Sequence, residues 1–375
     1  MTKIAYLVHD LSDPAVTRRV KMMRAGGAEV IVVGFRRVDQ PVLEVAGVKA
    51  IDLGRTYDAR MGHRAWQAVR RCLQAGRLAR LIGGCDVLMA RNLEMLAIAS
   101  AVRRKLKLCC RLVYESLDIH RLLLSPSLAG MVLRGIEKAL LRQCSMLIVS
   151  SPAFLRAHFD AYKFAGRVLL LENKLLQISS VDADRKPHPL DREAPWKIGW
   201  FGMIRCAKSL DMLRSIATQS NGRVEVVIRG RPAYTEFDDF DQIIADAAGL
   251  SFLGGYRAED LPELYQNVDF CWAIDYFEEG MNSQWLLPNR LYEGTFYGAV
   301  PFALASSETG RWLETHKIGL TLASPVDELA AFFEFLTSQN YNELNRAVLA
   351  VEKSELVVSG QECRDFVVAV SAGAC

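Results

Sequence analysis

The stretch KIAYLVHDLSDPAVTRRVKMMRAGGAEVIVVGF (residues 3–35) decides the fold. Its first eight residues form an apolar run that reads as a buried strand. Asp13 and Pro14 then have the residue types of a helix N-cap and first helical position, and AEVIVVGF (28–35) is a second buried strand. Strand, helix and strand in succession are the unit of a parallel sheet covered by helices. Outward from there the alternation continues through CDVLMA (85–90), LCCRLVYE (108–115), SMLIVS (145–150) and RVLLLEN (167–173). The polar segment VDADRKPHPLDREAP (181–195), with three prolines, interrupts it. A second series follows: KIGWFG (197–202), VEVVIRG (224–230), LSFLGG (250–255), DFCWAID (269–275), AVPFALA (299–305) and GLTLA (319–323). The expectation is an α/β protein of two Rossmann-like, doubly wound domains, residues 1–180 and 196–358, joined by a linker at 181–195. A final helix at 359–375 is free to cross back to the first domain. The 375 residues also exceed what one hydrophobic core usually serves.

The net charge of +3 conceals a polarity along the chain. Residues 1–180 carry a balance of +15 and the remainder −12. A basic half is drawn to anionic surfaces, whether lipid, nucleic acid or a phosphate-bearing acceptor, although a merely solvated basic face has the same composition. Nucleic acid is set aside, because the basic half holds no recognised reading motif and no evident series of stacking aromatics. The nine cysteines are scattered without a CxxC pair, which suggests neither a disulfide framework nor a zinc site and fits a reducing cytoplasm. The first residues run straight into a strand with no apolar export region, and no stretch approaches about 18 uninterrupted apolar residues. Membrane contact is therefore expected to be peripheral. Residues 62–82 place Arg64, Arg70, Arg71, Arg77 and Arg80 around Trp66, Leu73, Leu78 and Ile82, which suits either an interfacial helix or a partly buried structural one.

Open α/β sheets bind ligands beyond the carboxyl ends of their strands, so the loops there carry the chemistry. In the second domain the strand at 197–202 ends in Gly202, and Arg205 and Lys208 precede a helix expected near Ser209. Free N–H groups, the helix dipole and two cations all favour a diphosphate. Further on, DYFEEGMNSQWLLPNRLYEGTFYGAVPFAL (275–304) reads as strand, polar loop and a helix opened by Pro288. Glu293 on that helix is an acceptor-only group whose two oxygens can take both hydroxyls of a ribose, while Asn282 and Ser283 offer neutral donors. Taken alone, the segment equally accommodates an exposed helix carboxylate.

The runs PNRLYEGTFYGAVPFA, WFGMIRCAKSLDMLRSIA and FLGGYRAEDLPELYQNVDFCWA resemble the donor-binding half of GT-B glycosyltransferases, particularly those related to family 4 that build bacterial surface polysaccharides. The resemblance implies that Glu293 grips the nucleotide ribose and that Lys208 binds phosphate. It departs at Met203, where the family has an arginine that Arg205 can replace, and at Trp285, where the family has the first of two glutamates. In the first domain RLVYESLDIHRLL (111–123) ends a strand at Glu115 and delivers Asp118 and His120 to a loop. The place of Asp118 is similar to that of the catalytic aspartate in inverting GT-B enzymes of the xanthan-assembly type, and Arg290 matches a lysine in their corresponding helix. Asp118 is thus the candidate base, with Glu115, His120 and Asn92 on the acceptor side. Asn92 stands where many retaining relatives have a histidine, and stereochemistry stays open.

The resemblance implies a transferase moving sugar from a nucleotide-sugar donor, a UDP-sugar by analogy, with no metal required. The implied acceptor is a saccharide or a polyprenyl-diphosphate-linked saccharide at the cytoplasmic membrane face. A nucleotide-sugar epimerase of the same architecture and a degenerate sugar-nucleotide-binding protein are the alternatives.

Overall fold

The computed structural model describes residues 1–57, 61–106, 110–177, 185 and 193–372, so the expected linker lies outside the described residues except at Arg185 and 193–195. Two compact units are present. One comprises residues 1–172, 176–179 and 358–375, and the other comprises 173–175 and 180–357.

In unit 1 the opening stretch folds as its pattern predicts. β1 (Lys3–Val8) is buried from Ile4 onward, Asp13 accepts the Ala15 N–H at 2.8 Å to cap α1 (Pro14–Ala25), and β2 (Glu29–Arg36) lies parallel to β1. A hairpin absent from the sequence expectation follows, β3 (Glu44–Val45) and β4 (Val48–Arg55). Next come α2 (Met61–Leu73), α3 (Ala75–Ile82), β5 (Val87–Arg91), α4 (Leu93–Leu106) and β6 (Arg111–Ser116). The expected helix over 62–82 is thus two helices broken at Gln74, with Leu78 and Ile82 buried but Trp66 and Leu73 exposed. The unit continues with α5 (Arg121–Leu124), α6 (Leu128–Leu141), β7 (Met146–Val149), α7 (Pro152–Phe154) and β8 (Arg167–Leu170), after which the short β9 (Leu175–Leu176) falls on the division between the units. Its sheet runs β3-β4-β2-β1-β5-β6-β7-β8, parallel except for β3 against β4. Right-handed crossovers put α1 on one face and α2, α3, α4 and α6 on the other, where α2, α3 and α6 pack against α4.

Unit 2 is built on β10 (Trp196–Ile204), α8 (Ala207–Gln219), β11 (Val224–Pro232), α9 (Phe240–Asp246), β12 (Leu250–Phe252), α10 (Leu261–Gln266) and β13 (Phe270–Trp272). It is completed by α11 (Asn289–Tyr297), β14 (Val300–Leu304), α12 (Glu308–His316), β15 (Leu320–Leu322), α13 (Pro325–Phe335), α14 (Ser338–Leu349), α15 (Lys353–Leu356) and β16 (Val357–Val358). The wholly parallel sheet has the order β12-β11-β10-β13-β14-β15, with Trp196, Trp200 and Trp272 fully buried in its core.

The last helix, α16 (Gly360–Ser371), belongs to unit 1 and packs on α1. The approach is close enough that a Cβ at Gly26 would lie 2.2 Å from the Cys363 carbonyl oxygen. Strand order reverses between β1 and β5 in unit 1 and between β10 and β13 in unit 2. Each unit therefore has a switch point where open sheets hold ligands.

Candidate functional site

At the switch point of unit 2, β10 runs on to Ile204, two residues past the predicted end, and α8 begins at Ala207 rather than near Ser209. The reason is an unusual cap: the Cys206 sulfur accepts the Ser209 N–H at 3.3 Å. Gly202 has φ +114 and Gly230, its neighbour on β11, φ +139. The strands approach so closely that a Cβ on Gly230 would meet the Gly202 oxygen at 1.8 Å. Above Gly202 the space is open, bounded by the Tyr256 hydroxyl 4.0 Å from where a Cβ would stand.

Glu293 reaches the same place from α11. Its Oε2 accepts the Tyr265 hydroxyl at 3.3 Å. Burial, then the charge of Glu293, raises the pKa of Tyr256 against the pull of Arg290 and Arg229, so this phenol keeps its proton and remains a donor. Gly202 and Glu293, 91 residues apart in the sequence, thus both neighbour Tyr256.

Arg290 acts on Tyr256, Arg205 shares Asp275 with Arg290, and Lys208 is held by Glu279. Arg205 lies 3.6 Å from Asp275 and 4.5 Å from the ring centre of Phe277. Arg290 donates to the Ile274 carbonyl at 2.9 Å, lies 3.9 Å from Asp275, and keeps a buried Nε with no hydrogen-bond partner among the described residues. Lys208, half exposed, is held 2.7 and 2.8 Å from the two oxygens of Glu279 and sits over Tyr276. Ser283 accepts the Glu278 N–H at 2.8 Å, and both Asn282 and Ser283 are buried. Tyr256, Arg229 and Asp275 had no motif of their own. Only their positions mark them, Arg229 within β11 and Tyr256 and Asp275 beyond the ends of β12 and β13.

In unit 1, β6 ends at Ser116, one residue later than expected, and the loop that follows exposes Asp118. Glu115 requires a correction, because it is fully buried. Its oxygens accept from Arg19 at 2.6 Å, Arg91 at 2.9 Å and the Tyr6 hydroxyl at 2.5 Å. Burial pushes its pKa up, but Arg91 and Arg19 outweigh it and hold the carboxyl down to about 2. The other end of Arg91 lies 3.3 Å from Asp13. His120 uses Nδ1 to accept the Leu122 N–H at 3.2 Å, capping α5, and burial lowers its pKa. Asn92 follows β5 with φ +71 and donates its N–H to the Glu115 carbonyl at 3.1 Å. The sequence reading missed His9, which directly follows β1. Its Nδ1 is buried without a partner among the described residues, and burial lowers its pKa beside Glu94 and Asp13.

Two parallel, doubly wound units in one chain, each with polar groups gathered at its switch point, define the GT-B fold of glycosyltransferases. The same fold is found in HepE of Anabaena, solved in complex with UDP (TM-score 0.67, 15% identity, covering 98% of this chain and 99% of that one). It is found again in the lipopolysaccharide outer core galactosyltransferase WaaB (TM-score 0.63, 12% identity, 98% and 99%). No protein-family model matches the chain. The succinoglycan biosynthesis protein ExoL of Rhizobium meliloti (strain 1021) is 43% identical over 373 residues, covering 98% of this chain and 93% of that protein. The chain belongs to the ExoL family.

Proposed function

We propose that the chain is a glycosyltransferase of exopolysaccharide biosynthesis that moves a sugar from a UDP-sugar to a lipid-linked saccharide. One observation carries this reading: the Gly202 turn and Glu293 both neighbour Tyr256, on which Arg290 also acts, and Arg205 shares Asp275 with Arg290. Such a group matches a ribose and a diphosphate held together. ExoL is named for succinoglycan biosynthesis and HepE was solved with UDP, which supports both the pathway class and the nucleotide.

In the proposed reaction the bond between the anomeric carbon and the diphosphate oxygen breaks as the acceptor oxygen bonds to that carbon. Asp118, exposed on its loop, takes the hydroxyl proton. Charge developing on the leaving UDP falls on Lys208, Arg205 and the N–H groups opening α8, whose first turn contains no acidic residue. Glu293 holds the ribose. The +15 balance of residues 1–180 supports a peripheral seat on an anionic membrane surface, and among the described residues no helix is long and apolar enough to cross a bilayer.

The test is to incubate the purified protein with a panel of sugar nucleotides and a polyprenyl-diphosphate saccharide, and to measure free UDP and extended lipid. Acceptor-dependent UDP release, lost in Glu293→Ala, is expected. Interconversion of UDP-sugars without an acceptor would assign the fold to an epimerase instead.

A further inference from the structure

Helix α6 is built inside out. Every exposed position between residues 128 and 141 is apolar or glycine: Leu128, Ala129, Met131, Val132, Gly135, Ile136 and Ala139. The four large ones are 77, 50, 62 and 44% exposed, in chain order. The helix's carboxylate, Glu137, points the other way and is 1% exposed. It accepts from the Tyr114 and Tyr162 hydroxyls at 2.8 Å each and meets His158 Nε2 at 2.7 Å. Arg134 turns back to the carbonyls of Leu123 and Ser125, both at 2.7 Å. Arg134 and Glu137 are thus satisfied toward the protein, and the apolar face of α6 is left to the outside. An ordinary surface helix does the reverse.

A second stripe lies in the same helical layer. Trp66, Val69 and Leu73, spaced three and four residues apart on α2, are 58, 60 and 82% exposed. The Arg70 guanidinium sits 5.6 Å from the Trp66 ring centre. Both α2 and α6 pack on α4, so both stripes cover one face of the unit 1 sheet. Exposed cations Arg70, Arg77, Arg80 and Arg142 accompany them, in a half of the chain with a balance of +15. Apolar side chains interleaved with cations suit an anionic bilayer, acyl chains taking the first and phosphates the second.

We propose that the outward face of α6, together with the α2 stripe, is the surface by which unit 1 seats on an anionic lipid leaflet. The proposal rests on the peripheral-membrane reading above and gives it an address. The loop of Asp118 leads through α5 directly into α6, so a seated α6 holds that loop at headgroup depth, where a lipid-linked acceptor presents its sugar.

Flotation of the full chain with phosphatidylglycerol or phosphatidylcholine vesicles tests this, comparing wild type with Met131→Glu/Val132→Glu and with Val132→Leu. Exposure of both sites lets the fold accept the charges, which thermal unfolding and UDP titration verify. Expected are binding to phosphatidylglycerol only, a loss of about tenfold or more in the double variant, and retention in Val132→Leu. A double variant that floats as well as wild type overturns the assignment to α6 while leaving the membrane reading standing. Wild type that fails to float overturns both. A lipid-free dimer dispersed by the same double substitution overturns the lipid in favour of a second copy.

Discussion

Glu293→Gln probes the donor site at its most informative atom pair. The side chain is half-buried on α11 and takes the Tyr265 hydroxyl on one oxygen. The amide keeps the shape and that contact but loses the charge and one acceptor. A hydrogen bond to a charged group contributes about 1.5–3 kcal/mol. Partial exposure argues for the lower end, so UDP affinity should fall by about tenfold to thirtyfold. The sign is what discriminates. A carboxylate that only stood near the nucleotide would repel its diphosphate, and removing the charge would then tighten binding. Titration calorimetry with UDP and with 2′-deoxy-UDP completes a cycle: each change alone should weaken binding, and together they should cost little more than one. Unchanged or tighter UDP binding by a normally folded Glu293→Gln protein would refute a ribose contact.

Four other expectations follow from the geometry. Arg91→Met strands Glu115 with Arg19 as its remaining cation and should lower stability by about 3–5 kcal/mol in urea unfolding. Because the folded pKa of Glu115 is depressed from 4.5 to about 2, its contribution of roughly 3 kcal/mol is complete above pH 4.5 and is lost as pH falls through 2. A Glu115→Gln protein should lack that part of the acid-induced decline, which unfolding curves across this range would reveal. Asp118→Asn should slow transfer by about a hundredfold or more while leaving UDP affinity unchanged, whereas equal loss in both would make it structural. Glu279→Gln frees Lys208 from its ion pair and should tighten UDP binding by up to about fivefold, the scale of an exposed pair. Weaker binding would show that Glu279 itself contacts the donor.

Much of the architecture is legible in the chain because buried parallel strands are uninterrupted apolar runs and caps such as Asp13 use a small set of residues. What escaped reading depends on partners distant in sequence or on uncommon chemistry. The β3–β4 hairpin hides because VKAIDLGR mixes charge into a half-buried edge, where Asp52 is satisfied by Arg36 at 2.8 Å. The start of α8 was misplaced because sulfur is a rare cap. Glu115 reads as the end of a strand on the acceptor side. It is buried because Arg19, 96 residues earlier, and Arg91 close over it. Glu293 and Lys208 stood out by residue type and spacing. Tyr256 did not, since a tyrosine after a double glycine announces nothing until the strands are arranged.

The return of α16 to α1 sets an order on folding during synthesis. The surface that covers α1 is encoded more than 330 residues downstream of it. At about 5–20 residues per second a ribosome needs roughly 17–70 s to bridge that interval. Through all of it Val20, Met23 and their neighbours wait without their final cover, whereas unit 2, contiguous apart from a few residues, is complete once residue 357 has been made. The domain begun first is therefore closed last, and the nascent chain must be shielded on its opening helix until the polypeptide has doubled back.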